Sequence, residues 1–353
     1  MQGVHGGDIY RNRVDIDFSV NANPLGMPEN VREALYAAID SCGQYPDTEA
    51  CELKSAISKM LSVPGDFIVF GNGASELFMG MLRAVKPRRT LIPIPSFYGY
   101  EYAAEAVESD IVYFPLKEEK DFLPGKDLWE ALTEETDLLF LANPNNPTGK
   151  RMDKEYLETL LGICREKNIL VALDECFIEF CKDGFSMLPK IGEYDNLLII
   201  RAATKIFAIP GVRLGYMISS NRVLRERIGR NLPEWNLSVF AQAAGAACQE
   251  QSAYLAKTVE LVRTERQFLE KGLTKLGIRV FPGEANFVLV YSEVPLYEKL
   301  LQRGILIRDC QNFRGLSKGY YRIAVRKRQD NTRLLEAVGE CIERDRTAAA
   351  GRN

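Results

Sequence analysis

Two apolar runs of the chain are joined by residues 201–216, which read RAATKIFAIPGVRLGY. The first run is Leu197–Ile200, and the second, Leu214–Ile218, begins as this stretch ends. Continuous apolar runs without alternation predict strands that are covered on both faces, as in a parallel sheet between helices. Lys205 and Arg213 therefore lie next to a buried sheet.

The types of these two residues predict a chemistry. Burial disfavours a charged amine, so Lys205 at the end of a buried strand is suited to attack a carbonyl and form a Schiff base. Arg213 is a permanent cation that suits a phosphate group. An aldehyde that carries a phosphate is pyridoxal 5′-phosphate, and the pair predicts this cofactor.

The neighbouring sequence repeats the strand–helix alternation. Further strand candidates lie at 67–70, 90–94, 111–114, 138–142 and 169–173, with helices between several of them, for example at 153–165. This alternation predicts an α/β domain with a mostly parallel, seven-stranded sheet in α/β/α layers and right-handed crossovers.

The pattern of predicted secondary structure changes after Leu237. It becomes largely helical to about Leu276, and short strand and helix candidates then follow at 280–281, 287–291, 295–303, 305–308, 321–325 and 330–344. We expect a smaller α+β domain there. The predicted division is an N-terminal arm and helix at 1–44, a large domain at 45–237, a small domain at 238–346 and a flexible tail at 347–353.

The amino-acid composition of the chain argues against several classes of protein. A net charge of −3 over 353 residues argues against a general nucleic-acid or membrane-surface binder. The sequence has no run of about 18 apolar residues, so we expect no transmembrane helix. The N-terminus lacks the pattern of a signal peptide. Eight cysteines without a CxxC pair, with one histidine, argue against structural zinc and favour free thiols in a reducing cytoplasm.

Three more motifs follow predicted strands. GNGASE at 71–76 is a glycine-rich turn that opens a helix, which is either an anion site or a plain connection. NPNNPTG at 143–149 is a rigid turn that either places Asn146 toward a ligand or only turns the chain. Asp174 ends an apolar strand and either pairs with a protonated ring nitrogen or serves as a cap or structural ion pair.

The ordered set of motifs resembles the aspartate-aminotransferase superfamily, the pyridoxal-phosphate enzymes of fold type I, over nearly the whole chain. The resemblance implies that Lys205 carries the Schiff base, that Asp174 pairs with the pyridine nitrogen and that Asn146 bonds the ring 3′-oxygen. The further cofactor contacts that it implies are Ala74, Ser75, Thr204 and Arg213 at the phosphate, Phe97 stacked on the ring, and Tyr45 reaching the phosphate of the partner subunit in a homodimer.

Two branches of this family compete: threonine-phosphate decarboxylase, which serves cobalamin assembly, and histidinol-phosphate aminotransferase. Five segments resemble the decarboxylase more than the aminotransferase: 5–7, 19–26, 205–216, 308–313 and 321–326. A third interpretation, a non-catalytic cofactor-binding or regulatory protein, is disfavoured by the intact Lys205 and Asp174.

The decarboxylase resemblance implies a set of substrate contacts. Arg322 grips the α-carboxylate, Arg308 and Arg326 line the same anionic pocket, and His5 contacts the phosphate. Asn23 and Tyr10 are weaker candidates in the arm. For each arginine a surface salt bridge is the alternative, above all for Arg326, and a lone histidine is often structural.

Two departures from the family pattern stand out. Ala202 occupies a position that usually offers a hydroxyl to the cofactor phosphate. The absence of this hydroxyl removes one hydrogen bond, worth about 1 kcal/mol of binding free energy. Phe177 replaces the tyrosine that bonds the ring 3′-oxygen in most aminotransferases, and this fits the decarboxylase branch better.

Overall fold

A computed structural model describes residues 6–249 and 251–350, and the strands within these ranges form three sheets. In chain order the strands are β1 (Ile16–Asp17), β2 (Ile68–Asn72), β3 (Arg89–Ile94), β4 (Asp110–Pro115), β5 (Leu138–Ala142), β6 (Leu170–Asp174), β7 (Leu197–Ala202), β8 (Leu214–Ile218), β9 (Arg279–Phe281), β10 (Phe287–Tyr291), β11 (Ile305–Leu306), β12 (Arg308–Asp309) and β13 (Tyr320–Ala324). The α-helices are α1 (Glu29–Ala38), α2 (Cys51–Leu61), α3 (Ala74–Val85), α4 (Gly99–Glu105), α5 (Lys126–Ala131), α6 (Lys154–Glu166), α7 (Ala203–Ile206), α8 (Arg222–Gly229), α9 (Val239–Ala246), α10 (Ser252–Lys275), α11 (Leu296–Leu301) and α12 (Arg328–Ala350).

The largest sheet has seven strands in the order β2-β8-β7-β6-β5-β3-β4. Strand β8 runs antiparallel to both of its neighbours, β2 and β7. The remaining pairs are parallel. The prediction of a mostly parallel, seven-stranded sheet is confirmed.

Helices cover both faces of this sheet, which explains its continuous apolar strands. Leu139 and Ile199 belong to the cluster that packs against α2 and α6. Their neighbours Phe140 and Ile200 point to the opposite face, where they pack with α3, α4 and α8. Because successive side chains of a strand alternate between faces, two covered faces require apolar residues at every position.

The C-terminal part of the chain forms a four-stranded antiparallel sheet, β12-β13-β10-β9. Helices α10, α11 and α12 pack on it around Leu269, Leu296 and Leu334. The N-terminal arm joins this unit, since β1 pairs in parallel with β11 through Ile16 and Ile305. The arm is therefore anchored next to the small sheet.

Some predicted boundaries differ from the observed ones. The chain between β10 and β13 holds two short strands, β11 and β12, in place of one strand at 305–308. Helix α12 continues through Ala350, past the predicted start of a tail at residue 347, while residues 351–353 lie outside the described ranges. No helix in the described ranges has the length and hydropathy that a membrane crossing requires.

Candidate active site

Strands β2, β3, β5, β6 and β7 run in the same direction, so their carboxyl ends meet at one edge of the sheet. Ligand sites of open α/β sheets lie at this edge. A cavity of about 400 Å³ lies there. The predicted residues that line it are Ala74, Ser75, Phe97, Asn146, Asp174, Thr204, Lys205, Arg213, Arg308 and Arg322.

Asp174 ends β6 as a buried carboxyl group that faces the cavity. The Tyr100 hydroxyl donates to its Oδ2 over 2.6 Å, and the Cys176 backbone N–H donates to its Oδ1 over 2.9 Å. Burial raises the pKa of Asp174, whereas hydrogen bonds from Cys176 and Tyr100 oppose that rise. The donors favour the carboxylate form, which can pair with a protonated ring nitrogen.

Lys205 lies in α7, the single helical turn that follows β7, and its side chain lines the cavity. Burial, together with repulsion from Arg322 and Arg213, lowers the pKa of its amine to about 8. The Lys205 amine therefore loses its proton more readily than an ordinary lysine. A neutral amine is the nucleophilic form that attacks an aldehyde.

Strand β2 passes into α3 through Gly73, which adopts a φ of +77°. Residues with a side chain rarely adopt this backbone conformation, so the turn requires glycine, and a Cβ atom at Gly73 would also lie 2.2 Å from Nη2 of Arg213. Among the residues that the structure describes, no side chain caps the first turn of α3, which begins at Ala74 and Ser75. The free N–H groups at this helix start and the adjacent Arg213 form an anion site suited to a phosphate.

Arg322 also lines the cavity, and three groups accept hydrogen bonds from its guanidinium. It donates to the Asn146 side-chain oxygen through Nη1 and to the Ser19 carbonyl through Nη2, the latter over 2.9 Å. With the amide oxygen of Asn21 turned toward the guanidinium, Asn21 also accepts from Nη1 and Nε at 3.2 and 3.3 Å. Burial lowers the pKa of Arg322 to about 10, and nearby Arg308 adds to this effect.

Arg308 lies directly across the β12–β13 pair from Arg322. Its Nη2 donates to Asn312 Oδ1 over 2.7 Å, and its guanidinium lies over the Phe313 ring. Both arginines are buried, and no carboxylate within the described ranges forms an ion pair with either. Two buried cations that face one cavity favour a ligand with two anionic groups.

Aromatic side chains form further walls of the cavity. Phe97 packs edge-on against Tyr100, with ring centroids 5.7 Å apart. Phe177 packs edge-on against Phe287 at 5.1 Å and brings no hydroxyl to the site. Ala202 also lines the cavity, so the structure places both departures from the family pattern beside the predicted cofactor position.

Two predicted substrate residues do not line the cavity. The Asn23 amide donates to the Ile206 carbonyl and the Thr258 hydroxyl, both over 2.8 Å. Arg326 lies beyond the end of β13, where its Nε donates to Asp330 over 3.2 Å. In the structure Asn23 thus anchors the arm next to α7 and Arg326 forms an i,i+4 ion pair, both outside the residues that line the cavity.

The other arm and surface candidates also lie apart from the cavity. Tyr10 is 92% exposed and Tyr45 is 82% exposed. The Tyr45 ring packs on Trp235, with centroids 5.0 Å apart. The assignment of Tyr45 to a partner's site stays a prediction, and His5 lies outside the described residues.

The lining residues that sequence reasoning missed include the polar side chains of Ser19, Asn21, Tyr100 and Asn312. Tyr100 follows the predicted Phe97 by three residues in the sequence, and Asn21 lies two residues before the predicted Asn23. These short separations from predicted residues were the only signals that the sequence offered for Tyr100 and Asn21.

Residues 13–338 match the family described as aminotransferase class I and II, and the chain belongs to this family of pyridoxal-phosphate-dependent enzymes. A threonine-phosphate decarboxylase of Salmonella typhimurium is 36% identical over 92% of this chain and 90% of its own length. A putative threonine-phosphate decarboxylase of Caldanaerobacter subterraneus is 39% identical, with 95% and 92% covered. The crystal structure of histidinol-phosphate aminotransferase from Clostridium acetobutylicum has a TM-score of 0.87 at 33% identity and covers 93% of this chain and 99% of that one.

The residues of the cavity fit pyridoxal phosphate. The uncapped start of α3 and Arg213 suit its phosphate, and the carboxylate of Asp174 suits its ring nitrogen. The Lys205 amine suits its aldehyde, and Asn146 carries two N–H donors for the ring oxygen. The donor set thus matches each polar group of the cofactor.

Proposed function

We propose that the protein decarboxylates L-threonine O-3-phosphate to aminopropanol phosphate, with pyridoxal phosphate as its cofactor. The observation that carries this proposal is the pair of buried arginines, Arg308 and Arg322, neither of which forms an ion pair with a carboxylate in the described ranges. Phosphothreonine carries a carboxylate and a phosphate, one for each cation. The similarity to two threonine-phosphate decarboxylases supports the same substrate.

Each of the cavity residues has a separate role in this reaction. Pyridoxal phosphate, when bound, supplies an electron sink for the bond that breaks at the substrate α-carbon. Arg322 binds the α-carboxylate and Arg308 binds the phosphate, and two fixed points limit rotation of the substrate. The bond from the α-carbon to the carboxylate breaks, carbon dioxide leaves, and Nζ of Lys205 donates the proton that takes its place.

A substrate series tests the proposal. Purified holoenzyme is incubated with phosphothreonine, phosphoserine and histidinol phosphate, and both carbon dioxide and the phosphorylated amino alcohol are measured. We expect both products in equal amounts from phosphothreonine without a keto-acid acceptor. The absence of both, with turnover that depends on a keto acid, would contradict the proposal.

The second candidate is an aminotransferase that acts on histidinol phosphate, and the likeness to the Clostridium acetobutylicum structure favours it. Histidinol phosphate has a phosphate but no carboxylate, so it leaves one of the two buried arginines without an anion. A half-reaction separates the candidates. Transamination leaves the cofactor in its amine form and changes its absorbance, whereas decarboxylation returns it unchanged.

We further propose that the protein acts as a cytoplasmic homodimer in a cobalamin-type pathway. Exposed aromatic residues support a second subunit, since Tyr45 and Trp235 pack together at the surface and Tyr36 is also exposed. Tyr45 would then reach the cofactor phosphate of the partner. Growth of a strain that lacks its own threonine-phosphate decarboxylase, on the cobalamin precursor cobyric acid, tests the pathway.

A further inference from the structure

Residues 310–319 connect β12 to β13 and are called the strap below. The backbone closes the strap at its base, where the Cys310 N–H donates to the Tyr320 carbonyl over 2.9 Å. Asn312 and Phe313 of the strap line the cavity. The strap thus belongs to the small sheet but forms part of the wall of the active site.

One ion pair ties the strap to the large domain. Arg314 donates to both carboxylate oxygens of Glu101 on α4, over 2.6 and 3.1 Å. The guanidinium also lies 4.2 Å from the ring centroid of Tyr113 on β4. The Glu101 side chain is only 13% exposed. Most surface ion pairs contribute little, but a two-point arginine–carboxylate contact of this kind holds its partners in one geometry.

The strap in turn determines the surroundings of Arg308. Asn312 accepts the hydrogen bond from Nη2 of Arg308, and Phe313 packs under its guanidinium. Arg322 is held differently, through the Ser19 carbonyl and the Asn146 side chain, neither of which belongs to the strap. A displaced strap would therefore disturb Arg308 and leave the contacts of Arg322 in place.

We propose that Glu101 and Arg314 are positioning residues that fix the strap so that Arg308 binds the substrate phosphate. Neither residue lines the cavity, and both act through Asn312 and Phe313. The inference rests on the proposed function, because it assigns the distal phosphate of the substrate to Arg308. It makes the ion pair between the domains a determinant of selectivity for phosphorylated amino acids.

A double-mutant cycle tests this inference. The variants are Glu101→Gln, Arg314→Gln and the two combined, with Arg222→Gln as the control. Arg222 forms an exposed ion pair with Glu226 within α8, at 2.7 Å, and is absent from the cavity wall. The holoenzymes are compared for kcat and KM with phosphothreonine and for the affinity of L-threonine as a competing ligand that lacks the phosphate.

Each single variant should raise KM for phosphothreonine about tenfold, within the range of coupling energies for residues in contact, and leave kcat within about twofold. The combined variant should be no worse than either single one, because both remove the same contact. L-threonine affinity and the Arg222→Gln control should not change. An unchanged KM, additive losses, or an equal loss for L-threonine would overturn the inference, whereas an inactive wild-type enzyme would instead refute the proposed function.

Discussion

The ionised form of Asp174 depends on the donors that surround its buried carboxyl group. Tyr100→Phe removes the 2.6 Å hydrogen bond and should raise the pKa of Asp174 further. A hydrogen bond to a charged group is worth about 1.5–3 kcal/mol, so turnover should fall roughly ten- to a hundredfold. Lys205 should still attach the cofactor.

Tyr102→Phe is the matched control, since Tyr102 lies on the same helix but is exposed. Turnover and the absorbance of the bound cofactor are measured for both variants. Equal activity of Tyr100→Phe and wild type would show that the backbone N–H of Cys176 suffices for Asp174.

The lowered pKa of Lys205 predicts how cofactor attachment depends on pH. Only the neutral amine attacks the aldehyde, so the attachment rate of the apoprotein should rise with pH and level off above about 8. Arg322→Gln removes a repulsive charge, which raises the pKa of Lys205 and should slow attachment at pH 7.5. Stopped-flow absorbance measures both rates.

Arg326→Gln provides the comparison for Arg322→Gln, because Arg326 is paired with Asp330 away from the cavity. Its attachment profile should match that of the wild type. A profile of Arg322→Gln that coincides with both would contradict the electrostatic account of Lys205.

At the scale of the elements, the turn from β2 into α3 is the most constrained connection of the site. Gly73→Ala places a Cβ against Arg213 at a backbone angle that costs about 1–3 kcal/mol. We expect affinity for pyridoxal phosphate to fall at least about tenfold, as measured by titration of the apoprotein.

Gly162→Ala tests the same chemical change in a helix interior. Gly162 lies in α6 with nothing near its potential Cβ. This variant should keep its cofactor affinity and gain about 0.5–1 kcal/mol in free energy of unfolding. A loss of affinity equal to that of Gly73→Ala would show that the turn is not specifically required.

The strands of the large sheet could be predicted from sequence to within a residue or two, because burial on both faces leaves continuous apolar runs such as Leu138–Ala142. The residues at their ends could be predicted because the chemistry of the cofactor specifies their types. The arm was harder. Asn23 accepts from the Leu25 N–H and donates to the Ile206 carbonyl and the Thr258 hydroxyl, and the last two contacts join residues far apart in sequence.

The contacts of the C-terminal arginines were also hard to predict from sequence. Arg322 and Arg326 share the alternation of a strand, but β13 ends at Ala324 and Arg326 turns to Asp330. The four-residue spacing to Asp330 was the available signal. The ion pair of Glu101 with Arg314 joins residues that are far apart in sequence, and no local pattern predicts such a contact.

At the scale of the whole molecule, our proposal is that exposed Tyr45 reaches the cofactor phosphate of a second copy of the chain. We expect twice the 39.8 kDa mass of the chain in solution by light scattering. Tyr45→Ala should weaken cofactor retention about tenfold through loss of a charge-assisted hydrogen bond, while Tyr36→Ala should not. A monomer at micromolar concentration that retains its cofactor would contradict the shared site.

We propose that this cavity breaks the bond between the α-carbon and the carboxylate of a phosphorylated amino acid. A single turnover with phosphothreonine labelled with ¹³C at the carboxyl group tests this directly. We expect the label to be released as carbon dioxide while the cofactor returns to its original absorbance. Label retained in a keto acid, with the cofactor left in its amine form, would contradict it.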